Sequence, residues 1–130
     1  MIYLDTSALV KLVFEERESA ALEHWLMARV GLPRISSDIS TVELLRVCRR
    51  VDEGALGDAG ILLDGIDLLP VDRALVDNAA AVPPKELRSL DAIHLASALS
   101  IHADLTAFVA YDGRLCSAAA GAGIEVVSPA

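Results

Sequence analysis

A chain of 130 residues with a formal net charge of −8 and 54 % hydrophobic residues suits one domain, burying roughly two-thirds of the surface its unfolded form exposes. The acidic balance excludes a nucleic-acid binder that works by bulk electrostatics, which needs a basic stripe. It leaves open a site in which clustered carboxylates hold divalent cations and present positive charge to an anionic substrate.

The apolar content exceeds what so small a domain buries internally, so a dimer or a bound partner protein is expected. The two cysteines, Cys48 and Cys116, stand far apart and match no metal spacing, which predicts free thiols in a reducing compartment and a cytoplasmic protein. With no basic leader before the first apolar run and no apolar stretch of spanning length, neither secretion nor membrane insertion is expected.

The opening run Met1-Ile2-Tyr3-Leu4 ends in Asp5-Thr6-Ser7, and Ala8, Leu9, Leu12 and Val13 follow at helical spacing. This is a strand running into a helix N-terminus. Asp5 reads equally as a helix cap or as a site acid, because open α/β sheets bind ligands beyond the carboxyl ends of their strands. Residues 15–18 are a solvated charge run, and Leu22, Trp25, Leu26 and Val30 form the stripe of a second helix ended by Gly31 and Pro33. His24 falls off that stripe.

Residues 34–37 are a strand candidate, followed by a third helix from the cap-rich segment 38–41 with Leu44, Leu45, Cys48 and Val51 as its buried stripe. Glu43 shares another face with Arg46 and Arg50. Ser40 and Glu43 also have capping-box spacing, and Glu43 with Arg46 can be an ordinary surface pair. A short helix is expected within residues 54–65, and residues 66–71 alternate as a strand that Pro70 confines to a strand end or an edge. Asp72 caps a helix that Pro83-Pro84 terminates.

Residues 87–99 form a helix apolar almost all round, which therefore lies deep in the fold, with Asp91 in its first turn. The macrodipole favours a carboxylate there, yet a short acid on a buried helix needs a solvated or cation-filled cleft. His94, one turn on, reads as a satisfied core histidine or one supporting the site from behind. Residues 106–111 have the character of a central parallel strand with Asp112 at its end, Gly113-Arg114-Leu115 opens a small helix, and residues 124–127 are a last strand. Strands alternate with helices from end to end, predicting a single α/β domain over residues 1–130 with a mostly parallel sheet.

Two acids thus stand at strand ends and two near helix starts, all on the side where the strands' carboxyl ends emerge. The segments Leu4-Asp5-Thr6-Ser7-Ala8-Leu9, Ser40 to Glu43-Leu44, Leu90-Asp91-Ala92-Ile93-His94-Leu95-Ala96 and Tyr111-Asp112-Gly113-Arg114-Leu115 resemble, in order and spacing, a PIN domain of the VapC toxin type. The resemblance covers essentially the whole chain. It implies a doubly wound parallel sheet flanked by helices, and an endoribonuclease in which Asp5, Glu43, Asp91 and Asp112 bind one or two Mg²⁺ or Mn²⁺ ions. It further implies that Thr6 or Ser7 supplies a hydroxyl near metal or substrate, and that the protein forms a homodimer inhibited by a small antitoxin. Many such domains carry a polar residue two places before the last acid; here that position is Ala110.

The chemistry is consistent with the residues. Mg²⁺ takes octahedral oxygen ligands and keeps several waters, which suits a few carboxylates plus substrate phosphate. Arg46, Arg50 and Arg114 are candidate phosphate contacts, or charge balance for the acids. A haloacid-dehalogenase-type phosphatase wants a second aspartate where Ser7 stands, and a response-regulator receiver wants a late strand-end lysine that residues 126–129 do not offer. The alternative from another class is a non-catalytic PIN-like module that binds RNA or protein.

Overall fold

The computed structural model describes residues 1–130 as five short parallel strands in the order β3-β2-β1-β4-β5. The strands are β1 (Ile2–Leu4), β2 (Arg34–Ser37), β3 (Asp67–Leu69), β4 (Ala107–Val109) and β5 (Val126–Val127). The helices are α1 (Thr6–Val13), α2 (Ser19–Met27), α3 (Asp38–Val51), α4 (Leu56–Asp64), α5 (Arg73–Ala81), α6 (Ser89–Ser100) and α7 (Gly113–Gly121). The chain moves from β1 outward to β2 and β3, then returns to lay β4 on the other side of β1. The direction of winding therefore reverses between β1 and β4, where Leu4 pairs with Val109. That reversal opens a crevice at the carboxyl ends of the two strands.

Strand alternation divides the core into two layers. Ile2, Leu4 and Val109 face Leu9, Leu22, Leu26, Leu44 and Cys48, the buried stripes of α1, α2 and α3. Tyr3, Phe108 and Ala110 face Leu95, Ala98, Leu115 and Ala119 of α6 and α7, with the Tyr3 and Phe108 rings stacked at 5.2 Å. Helix α5 packs on α6 through Leu75, Ala79, Ala92 and Ala96. The expected α/β architecture is therefore present, with β3, the strand that Pro70 follows, on an edge. No helix is long and apolar enough to cross a membrane.

Three local expectations are corrected. Helix α2 stops at Met27, short of Gly31, and Val30 is 82 % exposed. Arg29 ends the helix: its guanidinium donates to the Trp25 carbonyl at 2.9 Å and covers the Trp25 ring at 4.0 Å, satisfying a terminal acceptor from a side chain. Val51, in the final position of α3, is also exposed, because Cys48 is the last side chain of that stripe to reach the core. The cap of α3 is Ser37, which accepts from the Ile39 N–H, so Ser40 and Glu43 do not form a capping box. Cys48 and Cys116 are free thiols, as expected.

Candidate active site

Asp5 leaves β1 at the crevice. Its backbone N–H donates to Val109 of β4 at 2.9 Å, and its side chain, 7 % exposed, caps α1. One oxygen, Oδ2, accepts from the Ser7 N–H at 3.1 Å and the Ser7 hydroxyl at 2.7 Å. The other, Oδ1, lies 3.4 Å from Nε2 of His94. Asp5 thus caps α1 from a position at the crevice, and neither reading of Asp5 excludes the other.

Asp112 occupies the equivalent place after β4. Its Oδ1 accepts the N–H groups of Arg114 and Leu115, both at 3.0 Å, capping α7. Asp91 stands in the first turn of α6 without a protein hydrogen-bond partner, unlike Asp5, Glu43 and Asp112. Burial first, then the negative charges of Asp5 and Asp112, hold its carboxyl above the usual carboxylate range. A cleft of about 1190 Å³ opens between the start of α6 and α7, with Asp91 and Asp112 in its lining, Arg88 and Arg114 beside them and Pro84 and Leu87 on its wall.

Glu43 comes from α3, on the opposite layer from α6. Its Oε1 accepts from His94 Nε2 at 2.7 Å and from the Thr6 hydroxyl at 2.8 Å. Burial works against its charge, but these two donors outweigh it and hold Glu43 below its usual range. Burial likewise works against charge on His94. The Glu43 hydrogen bond, followed by the charges of Asp5 and Glu43, raises it nonetheless.

Behind these groups runs a continuous polar network. Tyr3 Oη meets His94 Nδ1 at 2.8 Å, Thr6 Oγ1 reaches Ser40 Oγ at 3.4 Å, and Ser40 and Ser36 share a hydrogen bond at 2.6 Å. Ser36 donates to the Leu4 carbonyl at 2.6 Å. No buried side-chain polar atom in the molecule lacks a partner.

The structure therefore gathers Asp5, Thr6, Ser7, Glu43, Asp91 and Asp112 about the crevice and brings Arg114 to the cleft. Arg46 and Arg50 lie exposed further along α3 and do not line it. Arg88 was not legible from the sequence, since it precedes α6 without any motif. Tyr3, Ser36 and Ser40 were concealed as ordinary strand and helix-start residues. As the side chains stand, no three acidic, histidine or cysteine groups form a ready-made set of ligands for one metal ion. The donor chemistry nevertheless fits Mg²⁺ or Mn²⁺: all four acids offer oxygen, and Asp91 carries the unrelieved repulsion of its neighbours that a cation would neutralise.

Similarity to known proteins extends over nearly the whole chain. The PIN domain family model matches residues 2–121. Ribonuclease VapC47 of Mycobacterium tuberculosis (strain CDC 1551 / Oshkosh) is 46 % identical over 132 residues, covering 99 % of this chain and 97 % of the relative. Ribonuclease VapC35 of the same species (strain ATCC 25618 / H37Rv) is 47 % identical over 131 residues, with the same coverage of 99 % and 97 %. Among solved structures, the M. tuberculosis VapC20 toxin, described as cleaving the Sarcin-Ricin loop, superposes with a TM-score of 0.77 at 20 % identity, covering 99 % of this chain and 100 % of that one. FitAB bound to an IR36 DNA fragment superposes at 0.65 and 19 % identity, covering 99 % and 95 %. At those identities the two structures speak for the fold alone.

Proposed function

The chain belongs to the PIN-domain family, with whole-length relatives among the VapC ribonucleases, and on that premise we propose that it is a metal-dependent endoribonuclease, the toxin of a toxin–antitoxin pair, acting on RNA in the cytoplasm. The observation that carries this reading is the convergence of Asp5, Glu43, Asp91 and Asp112 from both helical layers on the β1/β4 crevice, beside a cleft that Arg88 and Arg114 flank.

In this reading the four acids hold one or two Mg²⁺ or Mn²⁺ ions. A divalent ion bound there would supply a lowered pKa for an attacking water and charge stabilisation for the leaving oxygen. The protein's own part is positioning. Ser7 keeps Asp5 Oδ2 occupied with two donors, while Oδ1 lies 3.4 Å from His94 Nε2. Thr6 acts on Glu43, and so reaches the site through that carboxylate.

Arg114 and Arg88, which line the cleft with Asp112 and Asp91, are the cations we assign to RNA phosphates, fixing register without reading bases. Arg46 and Arg50 offer further cations to RNA that runs along the exposed face of α3. Partner binding is supported by large apolar side chains left in solvent, Met27 and Ile61 at 75 % and 74 % exposure on α2 and α4, and Leu90 on α6. We assign these surfaces to a second copy of the chain and to an antitoxin that shields the acidic cleft.

The test is incubation of the purified protein with total cellular RNA in Mg²⁺ or Mn²⁺ against an EDTA control. Discrete new fragments that require the metal support the enzyme; RNA retention without cleavage in either condition supports the binding module instead.

A further inference from the structure

His94 lies at the junction of the two helical layers. It is 1 % exposed and belongs to α6, whose neighbouring Leu95 and Ala98 pack on the Tyr3 face of the sheet. Glu43 belongs to α3, whose Leu44 and Cys48 pack on the opposite face. The imidazole crosses the carboxyl end of β1 and joins them at 2.7 Å.

The ring's two nitrogens have distinct partners. Nε2 is close to two carboxylate oxygens, Glu43 Oε1 and Asp5 Oδ1, so it carries a proton whether the ring is neutral or charged. Nδ1 meets the Tyr3 hydroxyl at 2.8 Å. Tyr3 is itself immobilised, fully buried in the central strand and stacked on Phe108. Glu43 Oε1 takes a second donor from Thr6. With two donors on Oε1, Glu43 has Oε2 alone to offer anything else. Asp91 lies three residues before His94 on the same helix, hence on nearly the same face. The imidazole thereby links Glu43 of one layer to the helix of the other layer that carries Asp91.

We propose that His94, anchored by Tyr3, is a positioning residue that turns Glu43 so that only Oε2 faces the crevice, and so fixes the separation of Glu43 from Asp91. This rests on the metal-dependent reading above. Groups that hydrogen-bond to metal-binding carboxylates typically govern 10–100-fold in affinity. The role needs an N–H donor at the ε position and an anchor behind it, and does not need the ring to ionise.

The test is Mn²⁺ titration by calorimetry on wild type, His94→Leu, His94→Gln and Tyr3→Phe, with circular dichroism to establish folding and with kcat and KM measured on RNA. His94→Leu should bind Mn²⁺ about 10–100-fold more weakly and lose kcat with little change in KM. His94→Gln keeps a side-chain N–H for Glu43 and should recover part of both. Tyr3→Phe, which removes one oxygen, should shift affinity the same way by less. A folded His94→Leu with wild-type Mn²⁺ affinity overturns the proposal, as does a His94→Gln no better than a folded His94→Leu. Should His94→Leu fail to fold, wild-type affinity in Tyr3→Phe overturns it. Wild type that binds Mn²⁺ but cleaves no RNA contradicts the proposed function and leaves the affinity comparison intact.

Discussion

Ser7 holds Asp5 with both of its donors, backbone N–H and hydroxyl, on the single oxygen Oδ2. The same hydroxyl accepts the N–H of Tyr111 at 3.1 Å, the residue immediately before Asp112. One small side chain thus ties the end of β1 to the end of β4 and sets the two strand-end acids relative to each other. Ser7→Ala removes the hydroxyl and leaves a part-buried backbone N–H without its partner, which costs about 1–3 kcal/mol. Chemical denaturation should show that loss, and RNA cleavage should fall with it. Wild-type stability and rate in Ser7→Ala would mean that the tie is dispensable.

Asp112 caps α7 and in the proposed function also supplies a site charge, and two substitutions separate the two roles. Asn caps a helix about as well as Asp, whereas Ala forfeits about 1 kcal/mol. Asp112→Asn should therefore keep the melting temperature and lose cleavage; Asp112→Ala should lose both. Full activity in a stable Asp112→Asn would reduce Asp112 to its cap.

The pH dependence of stability should reveal Asp91. Its native carboxyl is held above the usual range by burial and then by Asp5 and Asp112, so the folded chain takes up that proton more readily than the unfolded one. Ionised Asp91 therefore detracts from stability at neutral pH, and the deficit shrinks as pH falls through the raised native value, vanishing below about 3.9, where the unfolded carboxyl is protonated too. In EDTA, Asp91→Asn should melt higher than wild type at pH 7, with the gap closing toward pH 4. Mg²⁺ should stabilise wild type by mass action, about 2.7 kcal/mol at a hundredfold excess over Kd, and the variant much less. Thermal scans of both proteins check this; an Asp91→Asn that melts lower at pH 7 in EDTA contradicts it.

The elements and their junctions were legible because local rules carried them. Asp5, Asp72 and Asp112 each follow an apolar strand and precede a helical pattern, and each caps its helix. The Asp5 pattern alone could not separate cap from site, since the residue caps α1 at the crevice itself. Local spacing misled at Ser40, where a serine three places before a glutamate imitates a capping box while the hydroxyl turns inward to Ser36 and Thr6. The joint between Tyr3 and His94 spans 91 positions, so no window along the chain contains it. Arg88 enters the cleft only because α6 starts there, a consequence of packing that leaves no signal in its neighbours.

The central claim, a carboxylate-held metal that cleaves RNA, is tested most directly by single-turnover cleavage of one mapped RNA with wild type, Asp5→Asn, Glu43→Gln and Asp91→Asn, in Mg²⁺ or Mn²⁺ and in EDTA. Each substitution removes charge and keeps volume. Wild type should cut only with the divalent ion, and each variant, folded by circular dichroism, should cut in neither condition. Cleavage by wild type in EDTA, or by a folded Asp91→Asn at the wild-type rate, would contradict the claim.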